Sequence, residues 1–226
     1  MAVVYNSAFM KVTTMKNSKT LLPLAILVVL VGCSSAPTAP SGENKQAEAK
    51  PKFESTFYTG REALSKMYIA ARGWQVDSKP YNLISQPTKE ANGHDGKSGI
   101  WGAGFASPSR RALKVYTWSG LKSENAPEPG IGARPEDTYN PANTSTQIFD
   151  IAFLKIESDE AFKEAQKHGG EKLIKANPEL PVYFLLDWNG RENKLVWHVL
   201  YGELRDNPKL RVAVDASTGA FIRVEK

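Results

Sequence analysis

Leu210-Arg-Val-Ala-Val-Asp-Ala-Ser-Thr-Gly-Ala-Phe-Ile-Arg-Val-Glu225 is the stretch that decides the fold. Two short, alternating apolar runs flank Asp215 and Gly219, and Thr218-Gly219 supplies turn chemistry between them. The stretch therefore reads as an antiparallel hairpin with strands over Leu210–Asp215 and Phe221–Val224. Upstream, Val182–Trp188 and Leu195–Tyr201 read as two more strands, with Asn189-Gly190 in their connection. Before these, Ser158-Asp-Glu-Ala-Phe-Lys-Glu-Ala-Gln-Lys-His-Gly-Gly170 has a cap at Ser158, acids in its first turn and glycine at its end, the signature of a helix. A further turn or two of helix is expected over Glu171–Ala176, stopped by Pro178, and Gln147–Ile156 reads as a strand.

The first half has the same order of elements. Thr59 and Glu62 form a capping box, Gly73 offers a stop, and Leu64, Met67, Tyr68 and Ala71 make one apolar stripe, so a helix is expected over Arg61–Arg72. Extended segments follow at Tyr81–Ser85, Ile100–Ala106 and Ala112–Trp118, the last two joined across Ser107–Arg111. Ser119 to Pro141, rich in Gly, Pro, Asn and Glu, reads as a long loop. Each half also holds a Trp-x-Gly near a strand end, Trp118-Ser-Gly120 and Trp188-Asn-Gly190, which suggests duplication. The fold class expected is α+β, a helix packed on an antiparallel β-meander, with two such units in tandem over residues 53–145 and 146–226.

The second unit resembles a PepSY domain, the module also found in propeptides of thermolysin-like peptidases. The resemblance spans roughly residues 158–226 and rests on Ser158–Ala165 as opening helix, Trp197-His-Val199 in a strand, and Val212–Phe221 as closing hairpin. It implies a helix on a curved antiparallel sheet, and a non-catalytic role such as inhibiting or escorting a peptidase. The first half resembles the family through element order alone, since it lacks the Val-Asp…Thr-Gly signature.

The chain opens with a different kind of segment. Its first 32 residues hold Lys11, Lys16 and Lys19 and no acid, followed by the apolar run Leu21–Val31. Eleven residues are too few for a helix to cross a bilayer core, which takes about 20. A basic stretch followed by such a run reads as a secretory signal, for which Met10 or Met15 would serve as starts equally well. Leu30-Val31-Gly32-Cys33 resembles the lipobox of bacterial lipoproteins, and Cys33 is the sole cysteine. The resemblance implies cleavage of residues 1–32 and acylation of Cys33 by diacylglycerol and a further chain such as palmitate. Ser34 after the cysteine implies the outer membrane, facing the periplasm, in a Gram-negative host. Residues 33–52, rich in Ser, Ala, Pro, Glu and Lys, are expected to be a flexible tether.

The remaining signals mostly exclude. Of 29 basic residues three lie in the signal, which leaves 26 against 24 acids, a net charge of +2 with no basic stripe for nucleic acid. Ala91-Asn-Gly-His-Asp-Gly-Lys-Ser98 matches a relaxed phosphate-loop pattern, but Pro87 precedes it and poor helix sequence follows, so a turn-rich loop is expected. His94, His168 and His198 share no metal-ligand spacing, and Ser119-Gly-Leu-Lys122 lacks the companion motifs of penicillin-binding enzymes. Asp159 and Glu160 read as helix-start charges. The strand tryptophans Trp101, Trp118, Trp188 and Trp197 are expected in the core more than on a binding face.

The expectation is a membrane-anchored, non-enzymatic protein-binding module with neither cofactor nor metal, meeting an envelope protein or peptidase by strand addition along Phe221, Ile222, Arg223 and Val224. The alternatives are a cell-envelope hydrolase using carboxylates assembled by the fold, and a purely structural envelope lipoprotein.

Overall fold

The computed structural model describes residues 53–225; Cys33, the expected signal and the expected tether up to residue 52 lie outside the described residues. Helix α1 (Gly60–Trp74) leads into strands β1 (Lys79–Ser85), β2 (Ile100–Ser107), β3 (Ala112–Ser119), β4 (Gly130–Ala133) and β5 (Asp137–Thr138). Helices α2 (Ser158–Ala165) and α3 (Glu171–Ala176) follow, then β6 (Val182–Asn189), β7 (Lys194–Tyr201), β8 (Leu210–Asp215) and β9 (Phe221–Glu225). The architecture is α+β, helices on an antiparallel meander, as the patterning predicts.

The two meanders do not stand apart. The sheet runs β4-β3-β2-β1-β6-β7-β8-β9, with β5 flanking β3, so the first strand of each half pairs with the first strand of the other. That seam is antiparallel, Asn82 opposite Asp187, Leu83 opposite Leu186 and Ile84 opposite Leu185. Ser85 Oγ extends it by accepting from Phe184 N at 2.8 Å. Both α1 and α2 pack on one face, and a single main core joins Leu64 and Met67 of α1 and Phe162 of α2 to Leu83, Trp101, Phe184 and Trp197 of the strands.

The helices enter this core in the same way. Trp101 on β2 donates its indole N–H to Tyr58 O at 3.0 Å, and Trp197 on β7 donates to Ile156 O at 3.0 Å. Each carbonyl lies two residues before the first helical residue, and each tryptophan lies on the second strand of its half. The equivalent tryptophans are therefore Trp101 and Trp197. The Trp-x-Gly pair read from sequence does not correspond, because Trp118 ends a third strand and Trp188 a first.

Both helices begin with capping boxes, and the two starts touch. Thr59 and Glu62 cap α1 as expected, but the N-cap of α2 is Glu157, paired with Glu160, rather than Ser158. Ser158 is needed elsewhere: its buried hydroxyl accepts from Gly60 N at 2.8 Å and donates to Gly96 O at 2.6 Å. Glu157 also accepts from Arg61 N. Burial pushes its carboxyl above the ordinary range despite hydrogen bonds from Thr59 and the Arg61 amide.

Other differences have local causes. Helix α1 runs through Gly73 to Trp74, because Gln75 N still bonds Ala71 O and only then does the backbone turn extended. Gln147–Ile156 is not a strand: Asp150 accepts from Ala152 N and closes a 3-10 turn over Ile151–Phe153. Ser119–Pro141 is not wholly loop, since β4 and β5 pair with β3 through backbone alone. Gly169, at φ 110, kinks the chain between α2 and α3.

The close approach at the helix starts gives a test by glycine replacement. A Cβ at Gly60 would press on the rings of Trp197 and Trp101 and on Leu83, whereas one at Gly73 meets nothing within 4 Å. Gly60→Ala is expected to destabilise by about 1–3 kcal/mol through overpacking. Gly73→Ala, inside a helix, should stabilise by about 1 kcal/mol. Urea denaturation of both variants would check the opposite signs.

Candidate functional site: the outer sheet face and the β9 edge

The face of the sheet away from the helices is not simply solvated. A cross-strand row, Thr117–Gly102–Ile84–Leu185–His198–Ala213–Arg223, crosses it from β3 to β9. Over the first half of the row lies a groove of about 630 Å³, with Ile84, Gly102, Gly104, Val115 and Thr117 in its lining and Arg134 beside them. A second hollow of about 410 Å³ continues it over β6, lined by Leu185, Asp187, Pro208 and Arg211. Asn82, Ile84, Arg205 and Asp206 belong to both, so the hollows form one trough crossing the β1–β6 seam.

Two outward positions of β2 are glycine, and one of them leaves the trough open. The ring of Tyr81 lies across Gly104, where any Cβ would strike it. Gly102 is different: a Cβ there meets only Tyr116 O, at 4.0 Å, and points into open space.

Charge on this face is partly matched. Arg205 Nε pairs with Asp206 at 3.1 Å. Asp187 Oδ1 lies 3.3 Å from His198 Nε2, and Glu225 Oε2 lies 2.6 Å from His198 Nδ1. Arg223 bonds both Glu192 and Glu225. Arg211 Nε lies 3.3 Å from Glu225 yet is buried without an aligned hydrogen bond. Arg134 is exposed, and no hydrogen bond or ion pair engages its side chain among the described residues.

The strand predicted to bind, Phe221–Val224, is β9, at the end of the sheet and paired, among the described residues, with β8 alone. Phe221 and Val224 are exposed at 36% and 47%, while Ile222 and Arg223 are partly covered. Phe221 lies flat on His168, with ring centroids 3.6 Å apart. The turn before it is built by Asp215, whose Oδ1 accepts from Ser217 N and Thr218 N, with Gly219 at φ 77.

The other sequence candidates scatter. The phosphate-loop-like segment runs directly into β2 and packs on the start of α2 through Gly96, with no helix of its own. His94 bonds Leu180 O, and Ser119 is buried on its own turn. Among the described residues no His, Cys, Asp and Glu group has the arrangement to hold a metal. Trp101, Trp118 and Trp197 are core residues, while Trp188 is half-buried against Phe153. Sequence reading missed Arg134, Arg205 and Arg211; the alternating Gly102 and Gly104 were the one local sign that something approaches this strand closely.

His198 makes the network pH-dependent. Burial disfavours its charged form, but hydrogen bonds to Asp187 and Glu225 outweigh that and hold the imidazole above its ordinary value. A base whose folded pKa is raised adds stability that is present below its ordinary 6.5 and lost as pH climbs through the raised value. Thermal melts should therefore show Tm falling as pH rises above about 6.5, with a smaller fall in His198→Gln. An identical slope in both proteins would remove His198 as the cause.

No protein-family model matches the chain, and no curated protein matches its sequence. One solved structure is similar in shape, a candidate lipoprotein from Clostridium difficile 630. It is 10% identical, with a TM-score of 0.48, and the match covers 72% of this chain and 91% of that one.

Proposed function

We propose that this chain is a lipid-anchored, non-enzymatic binding module of the bacterial cell envelope, which takes a partner strand along β9. The observation that carries the reading is β9 itself, an edge strand that leaves one side without a strand partner among the described residues and presents Phe221 and Val224 beside it. Backbone donors and acceptors on such an edge are a template for another strand, and side chains on alternate positions give the selection. The His168 ring under Phe221 and the Glu225–His198 contact hold the edge in shape before a partner arrives. Pre-ordering of this kind lowers the entropic cost of association. The PepSY resemblance favours an envelope peptidase as partner.

Anchoring rests on Cys33. Each buried methylene contributes about 0.8 kcal/mol, so two or three acyl chains hold a protein at a membrane essentially permanently. The periplasmic face of the outer membrane is the place that Ser34 favours in a Gram-negative cell. Among the described residues no helix is long and apolar enough to cross a membrane, and the acyl chains would supply the attachment.

Two measurements test this. Cells fed labelled palmitate should label the wild-type chain and not Cys33→Ser; label on both would remove the anchor. In-cell cross-linking should then capture one envelope peptidase with wild type and lose it with Val224→Lys, a change at an exposed position that leaves the core intact. Capture that survives Val224→Lys would remove β9 as the binding edge.

A further inference from the structure

We propose that the outer-face trough is a second binding site, separate from β9, for an acidic peptide segment lying across the strands. The trough runs from Val115 and Thr117 on β3 to Arg211 on β8. Five strand spacings make that about 24 Å, the length of roughly seven extended residues. It is open because Gly102 leaves space where every other residue type would place a side chain.

The charges select the occupant. The trough is lined by Arg134, Arg205 and Arg211 against Asp187 and Asp206. Both acids are engaged within the protein, Asp206 by Arg205 and Asp187 by His198. The cations are not equally satisfied: Arg134 has no side-chain partner among the described residues, whereas Arg205 pairs with Asp206 and Arg211 with Glu225. Arg134 stands exposed at the β3 end of the trough, where a carboxylate of an extended chain would reach its guanidinium. Guanidinium groups favour carboxylates because their planar fork matches two oxygens. A sugar chain fits less well, because the tryptophans whose faces would stack on rings are turned to the helix side or covered, and the lining offers only Tyr81 and Tyr183.

The test uses the full chain and a fluorescent hexaglutamate peptide, with hexaglutamine as the uncharged probe. Hexaglutamate should bind, hexaglutamine should not, and Arg134→Gln should weaken binding about tenfold. Gly102→Leu places an apolar side chain in the trough without changing charge, and its Cβ meets only Tyr116 O at 4.0 Å. It should abolish hexaglutamate binding while leaving Tm unchanged. Val224→Lys should leave this binding intact, which separates the trough from the β9 reading. Binding that survives Gly102→Leu, equal binding of both peptides, or no binding by wild type would each overturn the proposal.

Discussion

Between Asn82–Ile84 of β1 and Leu185–Asp187 of β6, two meanders that could each end in an open edge share backbone hydrogen bonds instead. The consequence is geometric. A four-strand sheet with one helix exposes much of the apolar face it makes, and small units of that kind bury too little surface to be stable alone. Joining at the first strands places Leu83 and Leu186 side by side in the centre of the sheet, under both helices, where each is fully buried. No disulfide helps, because Cys33 is the only cysteine and lies ahead of the described domain. The core carries the fold, and the seam makes the core one body.

The seam also dictates how the helices sit. With the first strands adjacent and antiparallel, the starts of α1 and α2 converge, which is why Ser158 can bond both Gly60 N and Gly96 O. Large indoles on the second strands then span the gap from sheet to chain: Trp197 donates to Ile156 O, and Trp101 adds a second donor to Tyr58 O, which also accepts from Ser98 N. Gly60 is the residue that lets the first helix come this close. Sheet, helix starts and tryptophans constrain one another, and each half repeats the arrangement with different residues.

Elements that announce themselves locally were legible in the sequence. The hairpin around Asp215 and Gly219, the Thr59–Glu62 box and the strand alternation on β6, β7 and β8 depend on neighbours a few residues away. What was not legible depends on distant partners. Gly130–Ala133 has no apolar alternation and is a strand only because β3 offers it an edge. Gln147–Ile156 has strand composition, yet Asp150 closes a turn within it, and Phe149 and Leu154 reach the core from irregular chain. The site was harder still. Arg134, Arg205 and Arg211 come from different connections and strands, and nothing in their spacing shows that they line one face.

The edge and the face are joined by a single imidazole. Glu225 belongs to β9 and Asp187 to the trough wall, and His198 lies between them, largely buried on β7. Burial works against the Glu225 charge, but the hydrogen bond from His198, with Arg211 and Arg223 close by, holds that carboxylate below its ordinary range. A charge placed near Asp187 therefore acts on the same group that positions the last residues of β9. Asp187 and Glu225 are thus members of one hydrogen-bonded network centred on His198. The link runs through three side chains on β6, β7 and β9, with His198 reaching across β8 to Glu225.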